Sequence, residues 1–238
     1  MFTRLAMVAA LVAGSVFAKD ISGASYVEPT EAYGHGAVKD GEYAGLRIDY
    51  DDGSHNTITF KGAVYEDTEP RLHDFDGDGS PEVVAVLSGD RVGAMIQIVD
   101  FDGEWARPLG QSAAIGQRHR WLATAGIADF NGDGRDDIAY VDRPHLAKTL
   151  RIVTPVLSGD ALTFTRGPSA EGLSNHIIGT PEIEGGVRDC PGETPVILTA
   201  NADWTEVMET GWVGSRLVST PVALYEGPES FAPFLNCD

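Results

Sequence analysis

Positive charge is scarce in this chain of 238 residues: 17 Lys and Arg stand against 36 Asp and Glu, for a net charge of -19. Nucleic acids and anionic membrane surfaces both require a basic face, so neither is an expected partner. Long apolar runs are missing too, since no segment after the N-terminus approaches the ~18 to 20 unbroken apolar residues of a spanning helix. Amphipathic helices with caps are absent, and 28 Gly and 13 Pro recur at short intervals. That combination specifies short strands and tight turns, a nearly all-β chain. Catalytic signatures are wanting: there is no G-x-S-x-G elbow, no H-E-x-x-H and no glycine-rich phosphate loop. Cysteine is reduced to Cys190 and Cys237, and in an oxidising compartment that pair is expected to form a disulfide tying down the C-terminal tail.

The first twenty residues, MFTRLAMVAALVAGSVFAKD, place a basic Arg4 before a small-residue-rich apolar run from Leu5 to Phe17, then Val16-Phe17-Ala18 ahead of the charged Lys19-Asp20. This is the layout of a cleaved secretory signal over residues 1–18, which predicts a periplasmic or secreted protein with no membrane span after cleavage. Residues 19–30 are small and polar and read as a linker. Residues 31–238 then form one domain, long enough for its own core.

What the chain has in abundance is acid packed into two loops. LHDFDGDGSPEVVAVLSG (Leu72 to Gly89) returns as IADFNGDGRDDIAYVD (Ile127 to Asp142), and the first acidic residue steps by 55 positions from Asp74 to Asp129. Hairpin patterns follow each loop at Ala94 to Gly110, turning at Asp102-Gly103, and at Thr149 to Gly167, turning near Gly159. A further hairpin is expected at Gly45 to Gly62, around Asp52-Gly53. Glu184 falls on the same 55-residue step, but Gly185, Gly186 and Asp189 replace the acidic pattern of this third unit. Four strands per unit at such a period predict a β-propeller-like array of three to four blades, closed or partly closed.

Each loop presents oxygen ligands at positions 1, 3 and 5, with a glycine at 6 able to fold the chain back. Three crowded carboxylates repel one another unless a cation sits among them, and calcium accepts six to eight hard oxygens in a flexible shell. The first expected set is Asp74, Asp76, Asp78, the Ser80 carbonyl and Glu82; the second is Asp129, Asn131, Asp133, the Arg135 carbonyl and Asp137. Position 12, the closing glutamate of a helical EF-hand, is Ala85 in one loop and Tyr140 in the other, so the carboxylate at position 9 must close the shell instead. Asn131 and the neighbouring Arg135 weaken the second set. Asp100-Phe101-Asp102-Gly103 and Asp51-Asp52-Gly53 lack the later ligands and read as hairpin turns.

DFDGDGSPEVVAV and DFNGDGRDDIAYV resemble the calcium loops of the FG-GAP or VCBS repeat family, specifically over roughly Glu69 to Gly167. The resemblance implies a β-propeller-like fold with calcium in the loops. It implies binding, adhesion or scaffold roles rather than one activity.

Basic residues cluster outside the loops, with nine of the 17 lying from Arg107 to Arg188. His119, Arg120, Trp121, Arg143, His145, Lys148 and His176 stand at strand entries and exits, where they could receive a carboxylate or phosphate with Trp121 or Trp204 as a stacking plate. The competing reading has them pairing with adjacent acids, as Asp142-Arg143 and Arg188-Asp189 suggest. The expected function is an exported calcium-binding module for an extracytoplasmic protein or carbohydrate ligand. The alternative is an exported lyase or hydrolase acting on an anionic polysaccharide or phosphorylated ligand.

Overall fold

The computed structural model describes residues 19–159 and 161–237. The expected signal segment therefore lies outside the described residues. Three antiparallel sheets follow one another along the chain, none of them closed into a barrel. The first contains β1 (Ile21–Pro29), β2 (Glu42–Tyr50), β3 (His55–Thr59), β4 (Ala63–Glu66), β5 (Arg71–His73), β6 (Glu82–Gly89), β7 (Gly93–Phe101) and β8 (Ala106–Gln111). Its order is β1-β2-β4-β6-β7-β8, with β3 beside β2 and β5 beside β6. The second is a meander of β9 (Leu122–Ala128), β10 (Asp137–Asp142), β11 (Thr149–Ser158) and β12 (Ala161–Glu171). The third holds β13 (Leu173–Ser174), β14 (Gly186–Arg188), β15 (Val196–Asn201), β16 (Glu206–Val213) and β17 (Arg216–Leu224). A 3₁₀ turn at Pro228–Phe231 and a short helix α1 (Ala232–Leu235) close the described chain.

The expected all-β class and its hairpins are present. Gly53 takes φ 80° while Asp52 accepts the Ser54 N–H at 2.8 Å, closing the β2–β3 turn. Asp102 does the same for β7–β8 by accepting the N–H groups of Glu104 and Trp105. Both are side-chain-stabilised turns of the kind that Asp-Gly pairs encode.

One expectation is corrected. Residues 19–30 are not a linker, because Ile21–Pro29 forms β1, which pairs with β2 from Ile21–Tyr50 to Pro29–Tyr43. Its apolar residues are sparse because it needs only a few anchors. Ile21 is buried, and Tyr26 stacks between Tyr43 and Tyr65 at centroid distances of 5.6 and 5.5 Å. The folded unit therefore includes β1. Residues 31–41 hold no strand, yet Tyr33, Ala37 and Val38 are buried. Successive N–H groups of Gly34, His35 and Gly36 wrap the Glu42 carboxylate at 2.6–3.1 Å, a nest that fixes this crossing segment.

The core explains why EVVAVLSG is apolar without alternation: all eight residues of β6 are buried. Val84 and Val86 join one cluster with Ile96, Ile98, Ile138, Val153 and Trp121, which fills the space between the first and second sheets. Val83, Ala85 and Leu87 point the other way, into a cluster with Leu46, Ile48 and Tyr65. The second sheet repeats the arrangement, with Ile138 facing the first sheet while Ala139 and Val141 pack with Ile197 of the third. The central strands β6 and β10 thus bury both faces, one parity of residues per face.

Candidate functional site

The first acidic loop joins β5 to β6. Asp74 accepts the N–H groups of Gly77 at 2.7 Å and Gly79 at 2.9 Å, so the loop winds around its first carboxylate. Gly77 and Gly79 have φ of 76° and 92°, a conformation that side-chain-bearing residues resist. Ligand atoms of Asp74, Asp76 and Asp78 all lie within 4.8 Å of one another, the only such acidic or metal-ligating trio among the described residues. Ser80 is tied in by its N–H to Asp78 and by its hydroxyl to Asp20. Glu82, the first residue of β6, is buried and accepts the Phe75 N–H at 2.8 Å. Burial, and then repulsion from Asp76, Asp100 and Asp74, pushes its carboxyl up to about 7.

Asp100 was missed by sequence reasoning. Only its neighbour pair Asp102-Gly103 behaves as the plain turn expected of Asp100-Phe101-Asp102-Gly103. Asp100 itself sits at the end of β7, where burial and then Asp76 and Asp78 raise its pKa, so it adds a carboxylate to the field of the first loop. No local motif marks it, because β7 brings it there from 26 positions beyond Asp74.

The second loop reproduces the first in detail. Asp129 accepts from Gly132 and Gly134, each at 2.8 Å, and those glycines have φ of 74° and 84°. Asn131 accepts the Asp133 N–H at 2.8 Å, and Asp133 accepts the Arg135 N–H at 3.0 Å. Asp137 is fully buried at the head of β10, with one oxygen receiving the Thr154 hydroxyl. Its other oxygen, Oδ2, is buried without a hydrogen-bond partner. Burial first, then Asp133 and Asp129, lift this carboxyl to about 6. An all-oxygen donor set with an unpartnered buried carboxylate oxygen fits a hard cation, because buried charges are otherwise paired. The third unit has lost the site: Glu184 instead accepts the Tyr225 hydroxyl at 2.7 Å. A Cβ on Gly185 would lie 2.1 Å from the Leu198 carbonyl, so the backbone of β15 leaves room for glycine alone at that position.

The Arg and His residues divide into two groups. The imidazoles converge, along with one that sequence reasoning passed over, His35. His35 stacks on His119 at 5.2 Å, His145 lies 5.1 Å from His176, and Trp121 meets His176 edge-on at 4.8 Å. The hollow beside them, about 20 Å³ lined by His35, His119, Trp121 and His145 among others, holds one water at most. Trp121 is 2 % exposed and donates its indole N–H to the Glu66 carbonyl at 2.6 Å, so it offers no stacking plate. Trp204 meets the edge of Tyr225. His145 Nε2 lies 2.9 Å from His176 Nδ1, and burial followed by repulsion from His176 lowers its pKa to about 4. Glu66 is buried beneath His35, 2.6 Å from its Nδ1, and also accepts the Ser88 hydroxyl. Glu66, Trp121 and His176 stand 55 residues apart in succession, so the repeat step read from the loops also places this buried trio.

Most of the cations are consumed by the protein itself. Arg143 and Arg151 both bind Asp142, Arg118 reaches Asp90 and the Tyr33 carbonyl, and Arg120 binds the His119 carbonyl. Lys148 donates to the Ala202 carbonyl. Arg188 pairs with Glu209 rather than with adjacent Asp189. His119, Arg143 and Lys148 have φ of 55°, 48° and 49°. For Arg143 the surrounding bonds over-determine that strained backbone: its N–H donates to the Trp121 carbonyl, and its carbonyl receives Leu146 and Lys148. The cluster is a structural hub joining the ends of the sheets.

Cys190 and Cys237 form a disulfide, with Cα atoms 5.6 Å apart. Among the described residues no helix is long and apolar enough to cross a membrane.

A search of curated proteins found no match. A family model described as an FG-GAP-like repeat matches residues 74–140. That match opens on the first carboxylate of the first loop and ends inside β10, so it takes in both acidic loops and the buried strands behind them. Over residues 74–140, then, the chain is similar to the FG-GAP-like repeat.

Proposed function

We propose that the protein is an exported, calcium-stabilised binding or scaffold module, built as a partial β-propeller of three blades and an N-terminal hairpin. The observation that carries the reading is the pair of acidic loops, each ending in a carboxylate, Glu82 or Asp137, raised first by burial and then by like charges that a cation would neutralise. Asp74, Asp76, Asp78 and Glu82 would hold one calcium, and Asp129, Asn131, Asp133 and Asp137 the other. Calcium would supply charge neutralisation and a fixed loop geometry, leaving the chemistry of recognition to side chains elsewhere. The disulfide supports an oxidising compartment, and the net charge of -19 supports a protein or carbohydrate partner over nucleic acid.

The test is a thermal melt of the mature protein at near-neutral pH with calcium and with chelator. A higher melting temperature in calcium is expected, and identical curves would overturn the reading. Export is tested by mass spectrometry of protein recovered from the periplasm or medium, which should begin at Lys19.

A further inference from the structure

Three arginines, two of them held by Asp142, line a cleft between the first and second sheets. This cleft has a volume of about 270 Å³ and is lined by Arg143, Arg151, Arg166, Asp142, Tyr140 and Phe164 among others. Three guanidiniums against one carboxylate give it a surplus of two positive charges in a chain whose net charge is -19. We propose that it is a binding site for an acidic sugar, a single ring carrying a carboxylate. The proposal names the ligand class of the binding module described above and rests on that reading.

Asp142 is the fixed point of the cleft. It is buried, and although burial works against its charge, hydrogen bonds from Arg143 and Arg151 hold its carboxyl below the usual range. Arg143 Nε and Nη2 reach its two oxygens at 2.7 and 3.1 Å, and Arg151 Nε donates at 2.8 Å. Asp142 therefore acts as an anchor that fixes both planes without exhausting their donors. A guanidinium carries five N–H groups. Two are engaged on Arg143 and one on Arg151. Arg166, exposed on β12, has no ion-pair partner among the described residues.

The surplus of donors discriminates between ligands. A lone carboxylate offers about four lone-pair sites, far fewer than the free N–H groups of three guanidiniums. The remainder suit hydroxyl oxygens on the same molecule. Half-buried Tyr140 and Phe164, both packed on the core between the sheets, supply an apolar wall for the C–H face of a ring. The volume lies just under the usual small-ligand range of ~300–1,000 Å³. One sugar ring fits that space, so a polymer would be read at one residue or at its end.

The experiment is calorimetric titration of the calcium-loaded, disulfide-bonded protein with D-galacturonate, its neutral counterpart D-galactose, and sodium sulfate. Galacturonate is expected to bind at about 1 mM or tighter, with galactose at least about tenfold weaker. Arg166→Gln should weaken galacturonate by about tenfold or more, the size of one charge-assisted hydrogen bond. The side chain is exposed and has no ion-pair partner among the described residues, so the variant should melt with its parent, and an altered melt would redirect the test to Arg166→Lys. Equal affinity for galacturonate and galactose overturns the proposal, as does an unchanged affinity in the variant. Sulfate binding as tightly as galacturonate overturns the sugar assignment. These outcomes are separable from the calcium melt: a calcium-dependent protein that ignores galacturonate sinks only the ligand class.

Discussion

Asp137→Asn should invert its effect on stability between chelator and calcium. In the metal-free chain Asp137 is fully buried, one oxygen has no partner, and its carboxyl is lifted from its ordinary value of 3.8 to about 6. A rise of that size corresponds to about 3 kcal/mol of opposition to the charged form at pH 7. Loop relaxation and water near Asp129 and Asp133 reduce the realised cost to about 1 kcal/mol. Asparagine removes the charge, and its oxygen can still accept the Thr154 hydroxyl. In chelator the variant should therefore melt about 2–4 °C above its parent. With calcium at about 100 times its dissociation constant, each filled loop adds about 2.7 kcal/mol. For a domain of this size, two loops raise the parent by about 10–20 °C and one loop raises the variant by about half that. The order of the two proteins then reverses. The sign with pH follows from the same group: its folded pKa lies above its unfolded value, so the chelated parent loses stability as pH rises from 3.8 through about 6. The variant should lack that decline. Differential scanning calorimetry in both buffers is the assay. An equal calcium increment in both proteins would refute the reasoning, as would a variant destabilised as much in chelator as in calcium.

Three further outcomes are expected. Cys237→Ser, or reduction, opens a 47-residue separation and should cost about 4 kcal/mol in urea titrations; an unchanged midpoint would mean that Phe231, packed on Leu198 and Ala200, holds the tail alone. His145 behaves oppositely to Asp137: its folded pKa of about 4 lies below the unfolded 6.5, so its contribution is present above 6.5 and is lost as pH falls towards 4. His145→Gln should flatten that acid limb in melts run from pH 7 to 4, and parallel curves would argue against it. Trp121→Phe keeps the ring's volume approximately but strands the buried Glu66 carbonyl. It should cost about 1–3 kcal/mol, measurable by denaturant unfolding.

The loops were legible because their chemistry is local. Oxygen donors at alternate positions and glycines at the turns are written within nine consecutive residues, and the structure returns them with matching hydrogen bonds. The strands behind them were legible from β-branched runs, as were the Asp-Gly turns. β1 was not, because an edge strand anchored by Ile21 and Tyr26 leaves little periodic signal. Asp100, His35 and Glu66 escaped for a different reason: their partners come from other strands, and nothing local distinguishes them. Sequence could point to the Arg and His residues, but it could not show that Asp142 would take two guanidiniums while Arg166 meets no carboxylate among the described residues.

The double-sided burial of β6 and β10 bears on how the chain finds its alignment. In a sheet with one wet face, a slip of one residue throws apolar side chains into water and corrects itself. Here a slip would only trade Val83, Ala85 and Leu87 for Val84 and Val86, moving oily groups from one dry compartment to another. Solvent cannot proofread that error. The correction must come from the ends of the strands, where Glu82 and Asp137 have partners that a shifted neighbour could not reach. The acidic loops are then the register pins of an otherwise slippery stack, which gives the apolar central strands a reason to carry acid at their heads.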